Sequence, residues 1–319
     1  MSVQPEIVVV GSLNTDLVAT VERFPEAGET LPGSDFKVYC GGKGANQAYA
    51  AGRLGGNVAM IGLVGNDPFG AAQIENLASV GVQTGAVQRD PDQPTGTAVI
   101  GVEASGENRI IYVPGANGAF GPDRLRSSLE LLGRAKLILL QLEIPLETVG
   151  EAIRIGKAGG ARIVLDPAPA ARIPDEWFTS IDFLTPNLGE LRLLTGASLA
   201  HGTPLDNIVE TARALCERGV AQVIVKLGAQ GAVGVTLDGY QHWHACDVQA
   251  VDTTAAGDCF NAAFSVELAA GRSEREAGSF AVSAASVSVT RKGAQSAMPT
   301  RGEVEGFRAQ RKPVRGLNT

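Results

Sequence analysis

The sequence predicts an α/β protein with a three-layer α/β/α core on a mostly parallel sheet and a small β-sheet lid. Three observations carry that expectation. Short β-branched apolar runs recur along the chain, helical patterns lie between most of them, and two stretches break the alternation. The 319 residues, 44% of them hydrophobic, suffice for a large buried core. The 40 glycines fit the many tight turns that strand–helix alternation requires.

Residues 7–10, 58–63, 137–141, 162–166, 183–185 and 222–227 are too short and too uniformly apolar for surface helices. They read as parallel strands buried on both faces. Residues 44–54, 70–79, 146–158, 188–195, 208–218, 258–269 and 273–291 carry helical spacing. Strand–helix alternation puts helices on both faces of one sheet. Residues 14–40 hold two alternating runs, 18–21 and 36–39. Residues 95–113 hold two more, 97–102 and 109–113, joined through Ser105-Gly106-Glu107-Asn108, a hairpin-like turn. With no crossover helix between them, these runs suit a separate small sheet or an edge extension of the main one. The expectation is a single domain over 1–312, with the lid at about 14–40 and 95–113. The polar, basic stretch from Arg308 onward is expected to fray, with a flexible tail at 313–319.

A formal charge of −7 without a basic block argues against nucleic acid or a membrane surface as partner. No window approaches ~18 consecutive apolar residues, so no membrane span is expected. Met-Ser-Val-Gln-Pro-Glu leads into an apolar run too short for a signal segment. Cys40, Cys216, Cys246 and Cys259 make no CxxC pair, which fits a reduced, cytoplasmic setting. His242 and His244 flank Trp243 and would share a strand face; without a third ligand, an exposed pair is the simpler reading than a metal site. His201 reads as a loop residue.

Candidate site residues gather where strands end, since ligands of parallel sheets collect at carboxyl ends. Gly11-Ser12-Leu13-Asn14-Thr15-Asp16 follows the first strand. Asn14 and Asp16 can hold a diol, or form an Asx turn. Gly41-Gly42-Lys43-Gly44-Ala45-Asn46 lets backbone approach a small ligand, or is a tight turn; Gly44 stands where a Walker A loop needs Ser or Thr. Glu143 ends another strand. Asn187 and Glu190 are spaced to meet hydrated Mg²⁺ or phosphate-bound water at a helix start, or to form a capping box. Lys226-Leu227-Gly228-Ala229-Gln230-Gly231 allows a turn against a flat or phosphate ligand, without the GxGxxG of a dinucleotide fold. Asp252-Thr253-Thr254-Ala255-Ala256-Gly257-Asp258 is the strongest signal. Small residues free backbone N–H groups at a helix mouth to attract phosphate, and a carboxylate there can take a proton from a hydroxyl.

Four of these motifs in this order (11–16, 41–48, 187–190 and 252–258) resemble the ribokinase-like sugar kinases, also called the phosphofructokinase-B type, over about residues 5–300. The stretches 14–18, 141–147 and 290–295 resemble the ribose-phosphorylating members. The resemblance implies transfer of the ATP γ-phosphoryl to the 5-hydroxyl of D-ribose, with Mg²⁺ and a monovalent activator, K⁺. It implies dimers paired lid to lid. It makes Asp258 the catalytic base and Ala255, Ala256 and Gly257 the anion hole. Asn14, Asp16, Gly42, Lys43, Asn46, Glu143 and Asp258 become sugar contacts. Asn187, Lys226, Gly228, Gly231 and Gly257 become ATP contacts, with Mg²⁺ near Asn187 and Glu190. Asp252, Thr254, Ser288, Arg291 and Gly293 become the monovalent-cation loop, largely through backbone carbonyls. Relatives phosphorylating deoxyribose, a ketohexose or a nucleoside are the nearest alternatives. A non-catalytic sugar-binding regulator would be expected to lose the base or the anion hole, and both motifs are present.

Three positions depart from the family pattern. Cys259 replaces the usual Thr and is expected to set a thiol near the reaction centre. Ala297 replaces a Ser that helps hold the cation, with Ser296 one position early. Val282 replaces a polar residue beside adenine, which bears on nucleotide selectivity.

Overall fold

The computed structural model describes residues 4–103, 105–200 and 202–310. His201 and the expected tail at 313–319 lie outside the described residues. The chain opens with β1 (Ile7–Val10), β2 (Asn14–Val21), β3 (Asp35–Gly41), α1 (Lys43–Arg53), β4 (Val58–Gly65), α2 (Pro68–Ser79) and β5 (Gln83–Asp90). It continues through β6 (Gly96–Glu103), β7 (Asn108–Val113), α3 (Pro122–Arg126), α4 (Leu129–Gly133), β8 (Leu137–Leu140), α5 (Leu146–Ala158), β9 (Arg162–Leu165) and β10 (Phe183–Leu184). It closes with α6 (Leu188–Thr195), α7 (Leu205–Glu217), β11 (Gln222–Lys226), β12 (Ala232–Val235), β13 (Tyr240–Trp243), α8 (Ala256–Ala269), α9 (Glu274–Ser288) and α10 (Arg301–Gln310).

Nine strands form the main sheet in the order β13-β12-β11-β10-β9-β8-β1-β4-β5. All neighbours from β11 to β5 are parallel, and β12 and β13 add an antiparallel edge. The alternation of side chains along each strand splits the core in two. Val8, Val10, Ile138, Leu140, Ile163 and Leu165 face one cluster with α5 and α7. Ile7, Val9, Leu137, Leu139 and Val164 face another with α1, α8 and α9. That is the expected three-layer core. Each fully buried Ile, Leu or Val contributes about 1.5–3 kcal/mol, so helices that cover both faces hold the sheet.

The second sheet has four strands, ordered β3-β2-β6-β7, and is separate from the first. β2 lies antiparallel to β3 and parallel to β6, so residues 14–21 and 96–103 run side by side. The edge-extension alternative is therefore set aside. One face keeps large apolar side chains in solvent: Phe36 is 62% exposed, Val38 51% and Ile111 67%.

Sequence patterning missed β5, β12, α3, α4 and α10. Arg308, expected to fray, lies in α10 with the two residues after it. β5 alternates half-buried polar residues, as edge strands do, and its composition offers little apolar signal.

Candidate active site

The carboxyl ends of the parallel strands meet the N-terminal ends of α1 and α8. Helices α2, α6 and α9 are capped by their own side chains: Asp67, Asn187 and Ser273 each accept an N–H from the first turn. Neither α1 nor α8 has such a cap. At α1 the work is done from across the sheet. Glu143 Oε2, just beyond β8, accepts the Lys43 N–H at 2.9 Å, and the Ser12 carbonyl accepts the Ala45 N–H at 2.9 Å. Gly42 permits this approach. Its φ is +89°, and a Cβ there would stand 2.7 Å from the Asn14 nitrogen and 2.9 Å from the Ser12 oxygen.

Around Glu143 a polar cluster assembles. Ser12 Oγ donates to it at 2.5 Å and Asn14 Nδ2 reaches it at 3.4 Å. Asn117 Nδ2 donates to Asn14 Oδ1 at 2.7 Å, while Asn117 Oδ1 accepts the Leu13 N–H at 2.9 Å. Tyr112 of β7 stands beside Asn14 and Asn117, and burial, then the Glu143 charge, push its phenol up to about 12. Asp16 lies on β2 against Gly41, where a Cβ would come within 2.5 Å of Oδ2. Burial, then the negative charge of Glu143, raise its carboxyl to about 6.

Asp258 sits in the first turn of α8 and is 4% exposed. Its Oδ2 accepts from Asn46 Nδ2 and its Oδ1 from Gln47 Nε2, both at 3.1 Å. Gln295 fixes Asn46 in turn, its Nε2 donating to Asn46 Oδ1 at 3.1 Å. Burial pushes the Asp258 carboxyl above its usual range; the Lys43 charge pulls it back and Asp166 pushes it further up. Asp258, followed by Asp166, Glu143 and Glu190, raises Lys43 against its own desolvation, so its ammonium stays charged. The chain enters α8 through Ala255 at φ +58°, the one non-glycine residue with positive φ among those described. The Ala256 N–H turns back to the Thr253 carbonyl at 3.2 Å. Of the expected anion-hole donors in the helix, this occupies Ala256 and leaves Gly257, with the Asp258 N–H next to it, without an intrahelical carbonyl.

Beside this helix mouth opens a cavity of about 460 Å³. Lys226, Gly228, Gly231 and Gly257 line it with apolar walls from Phe260, Val282, Ala285 and Val289. The volume and lining suit a flat, partly apolar ligand. Asn187 is outside this lining. It forms a capping box with Glu190, each taking the other's backbone N–H at 2.9 and 2.7 Å, and bridges to Lys226 through the backbone. The capping alternative is thus realised. Burial raises the Glu190 carboxyl.

The expected cation loop is partly drawn together. Asp252 Oδ1 accepts from the Thr254 N–H (2.9 Å) and Oγ1 (2.6 Å), and Oδ2 from the Gly293 N–H (2.8 Å). The Arg291 guanidinium turns away to Glu303 at 2.6 Å. Ser296 Oγ donates to the Lys292 carbonyl at 3.2 Å, so a hydroxyl stays close to Gly293 although Ala297 is apolar. Cys259 does not face the reaction centre as expected. It is fully buried in the α1–α8–α9 cluster, and burial pushes its thiol up to about 12. One residue along a helix is a rotation of about 100°, which carries it from the site to the core. His242 and His244 have ring centroids 4.0 Å apart, and the His242 ring meets the Gln230 carbonyl. Among the described residues no group of three or more His, Cys, Asp or Glu could hold a metal.

Sequence reasoning missed Ser12 and Gln47 as site residues, although both lie inside quoted motifs, and missed Asn117, Tyr112 and Asp166 altogether. Asp166 carried a usable signal: it ends a buried strand, as Glu143 does.

The sequence pattern of the pfkB family carbohydrate kinases matches residues 4–301. A ribokinase of Haemophilus influenzae is 40% identical over 301 residues, covering 94% of this chain and 97% of that protein. A deoxyribokinase of Salmonella typhimurium is 40% identical over 296 residues, covering 92% and 96%. The structure of Arabidopsis thaliana ribokinase complexed with ribose and ATP superposes with a TM-score of 0.91 at 36% identity, covering 96% of this chain and 99% of that one. The match runs through both sheets and every strand end described above, and the chain belongs to the pfkB family of carbohydrate kinases.

Proposed function

We propose that this kinase transfers the γ-phosphoryl group of ATP to the 5-hydroxyl of D-ribose, giving D-ribose 5-phosphate and ADP. One observation carries the reading. Asp258 stands at the α8 mouth between a hydroxyl-binding cluster and a nucleotide-sized cavity. Asn14, Asp16, Lys43, Asn46 and Glu143 offer donors and acceptors for sugar hydroxyls; Lys226, Gly228, Gly231 and Gly257, with Asn187 nearby, face the nucleotide.

The hydroxyl oxygen attacks the γ-phosphorus, the bond to the β-phosphate oxygen breaks, and the proton passes to Asp258. A carboxyl raised by burial is a better proton acceptor than an ordinary aspartate. Gly257 and Asp258 N–H groups and the α8 dipole face the charge on the transferring group. Lys43 adds a fixed positive charge beside the base. Glu190 carries one hydrogen bond from Asn187 on each carboxylate oxygen, which leaves lone pairs for magnesium-bound water. Magnesium held there supplies charge neutralisation on the phosphates. The Asp252 carboxylate, held ionised by its donors, and the carbonyl-rich turn at Thr254, Ser288, Arg291 and Gly293 fit a potassium ion that steadies the helix entrance.

The small sheet acts in this reading as a lid that excludes water and limits ATP hydrolysis. Its exposed Phe36, Val38, Val99 and Ile111 form an apolar face that suits pairing with a second copy. Ile111→Glu should then convert a dimer to a monomer in sedimentation velocity. The four cysteines are free, consistent with a cytoplasmic protein, and among the described residues no helix is long and apolar enough to cross a membrane.

A deoxyribose reading has equal identity behind it, since a deoxyribokinase matches as well as a ribokinase does. A sugar panel with ATP, run with and without potassium, separates the two. Ribose should outcompete 2-deoxyribose, fructose and adenosine; a preference for 2-deoxyribose would move the assignment to the sister activity.

A further inference from the structure

A buried carboxylate outside the mechanism above connects its two halves. Asp166 follows β9 and is 2% exposed. Its Oδ1 holds Lys226 Nζ at 2.9 Å. Its Oδ2 accepts from Asn261 Nδ2 at 2.9 Å and from Gln47 Nε2 at 3.2 Å. The same Gln47 nitrogen donates to Asp258 Oδ1 at 3.1 Å. Gln141 Nε2 donates to Gln47 Oε1 at 2.7 Å, which fixes the orientation of that amide. Lys226 lines the nucleotide cavity, and its Nζ lies 3.3 Å from where a Cβ on Gly257 would stand.

We propose that Asp166 is a positioning residue that sets the proposed base through Gln47 and the nucleotide-side ammonium through its own Oδ1. The proposal rests on Asp258 acting as the base. A buried ion pair is seldom the most stable way to fill such a space. Here the pair spans the gap between the sugar side and the nucleotide side, and two of the three donors to Asp166, Lys226 and Gln47, touch the cavity or the base, while Asn261 lies one turn beyond Asp258 in α8. The charged groups facing Asp258 are Lys43 from α1 and Asp166 from the end of β9. Lys226 pairs directly with Asp166, and Glu143 and Glu190 act on Lys43. Loss of the Asp166 charge removes a like charge from beside the base. Loss of the Lys226 charge leaves that like charge uncompensated.

The test compares Asp166→Asn, Lys226→Met and the double variant by pH profiles of kcat/KM for the sugar, KM for ATP and thermal melting. Asp166→Asn should move the acid limb about one pH unit lower, the size of effect expected of a nearby charge. It should also raise KM for ATP severalfold, because the ammonium loses its tether. Lys226→Met should move the acid limb upward, and the double variant should return it close to the wild-type position. An unmoved acid limb in both single variants, with altered melting alone, would reduce Asp166 to a purely structural role and overturn the proposal. Should Asp166→Asn fail to fold, the upward shift in Lys226→Met decides alone. Asp258→Ala run in parallel separates the two readings: retained turnover there removes the base assignment, whereas lost turnover with unmoved limbs removes only this one.

Discussion

The two halves of the site are built on opposite principles. On the proposed sugar side polar atoms are paired with one another: Ser12, Asn14, Lys43 and Asn117 all converge on Glu143 or its neighbours. On the proposed nucleotide side the cavity walls are Phe260, Val282, Ala285 and Val289, with glycines at the rim. Hydroxyl recognition needs directional partners, and an unpaired buried partner costs about 1–3 kcal/mol. A flat ring needs width and apolar contact, with few polar groups to orient it. The sugar side should therefore fail sharply on single substitutions, and the nucleotide side gradually.

The sharpest test falls where the halves meet. Asp258→Ala should lower kcat by about 10²–10⁴, the usual contribution of a general base. Isothermal titration should still show sugar binding, since Asn14, Asp16 and Glu143 remain. Turnover at wild-type rates would break the assignment of the base.

Asp16 probes the sugar half alone. Its folded value of about 6 lies above the ordinary 3.8, because burial and Glu143 disfavour the ionised form. The folded state thus binds its proton more tightly than the unfolded state does. Ionisation then costs stability that grows as pH rises from about 4 through 6 and is complete above 6. Asp16→Asn should melt higher than the parent at pH 8, with the advantage gone by pH 4, while KM for the sugar rises at least tenfold. Equal melting temperatures at pH 8 would show that the folded environment does not oppose the charge.

Val282 probes the other half. Val282→Asn should change KM for ATP only a few-fold and leave KM for the sugar unchanged, because a polar atom at an open cavity wall can still reach water. A loss as steep as that of Asp16→Asn would erase the contrast between the halves.

The same contrast explains what could be read in advance. Asn14, Asp16, Lys43, Asn46 and Glu143 stood out because they fall in or beside the turns that follow strands, where ligands of a parallel sheet collect, although an Asx turn or a tight turn accounts for some of them as well. Phe260, Val282 and Val289 look like any helix core, and nothing in a sequence marks which apolar face meets a cavity. Long-range partners were invisible for another reason. Asn117 meets Asn14 across 103 positions, and Asp166 meets Lys226 across 60, so only the folded sheet brings them together. Cys259 shows the opposite error, in which nearness along the chain was taken for nearness in space. The fold was more legible than the site because short apolar runs and helical spacing are local signals. The edge strand β5 lacked the strong pattern of the centre, and β12 is a four-residue strand split by Gly234.

The smallest expected effect lies at the seam, at Ala255. A left-handed φ of +58° places its Cβ against the following carbonyl, at a cost of about 1–2 kcal/mol. Glycine relieves that strain but adds freedom to the unfolded chain worth roughly 0.5–1 kcal/mol. Ala255→Gly should therefore stabilise by at most about 1.5 kcal/mol, a melting shift of only a few degrees at this size. The kinetic consequence points the other way. Ala255 holds the chain where the first N–H groups of α8 are presented, and a looser entrance disperses those donors. We expect kcat to fall severalfold while melting rises slightly, measured on the same preparation. A rise in both would mean that the strained entrance contributes nothing to placing the anion-binding N–H groups.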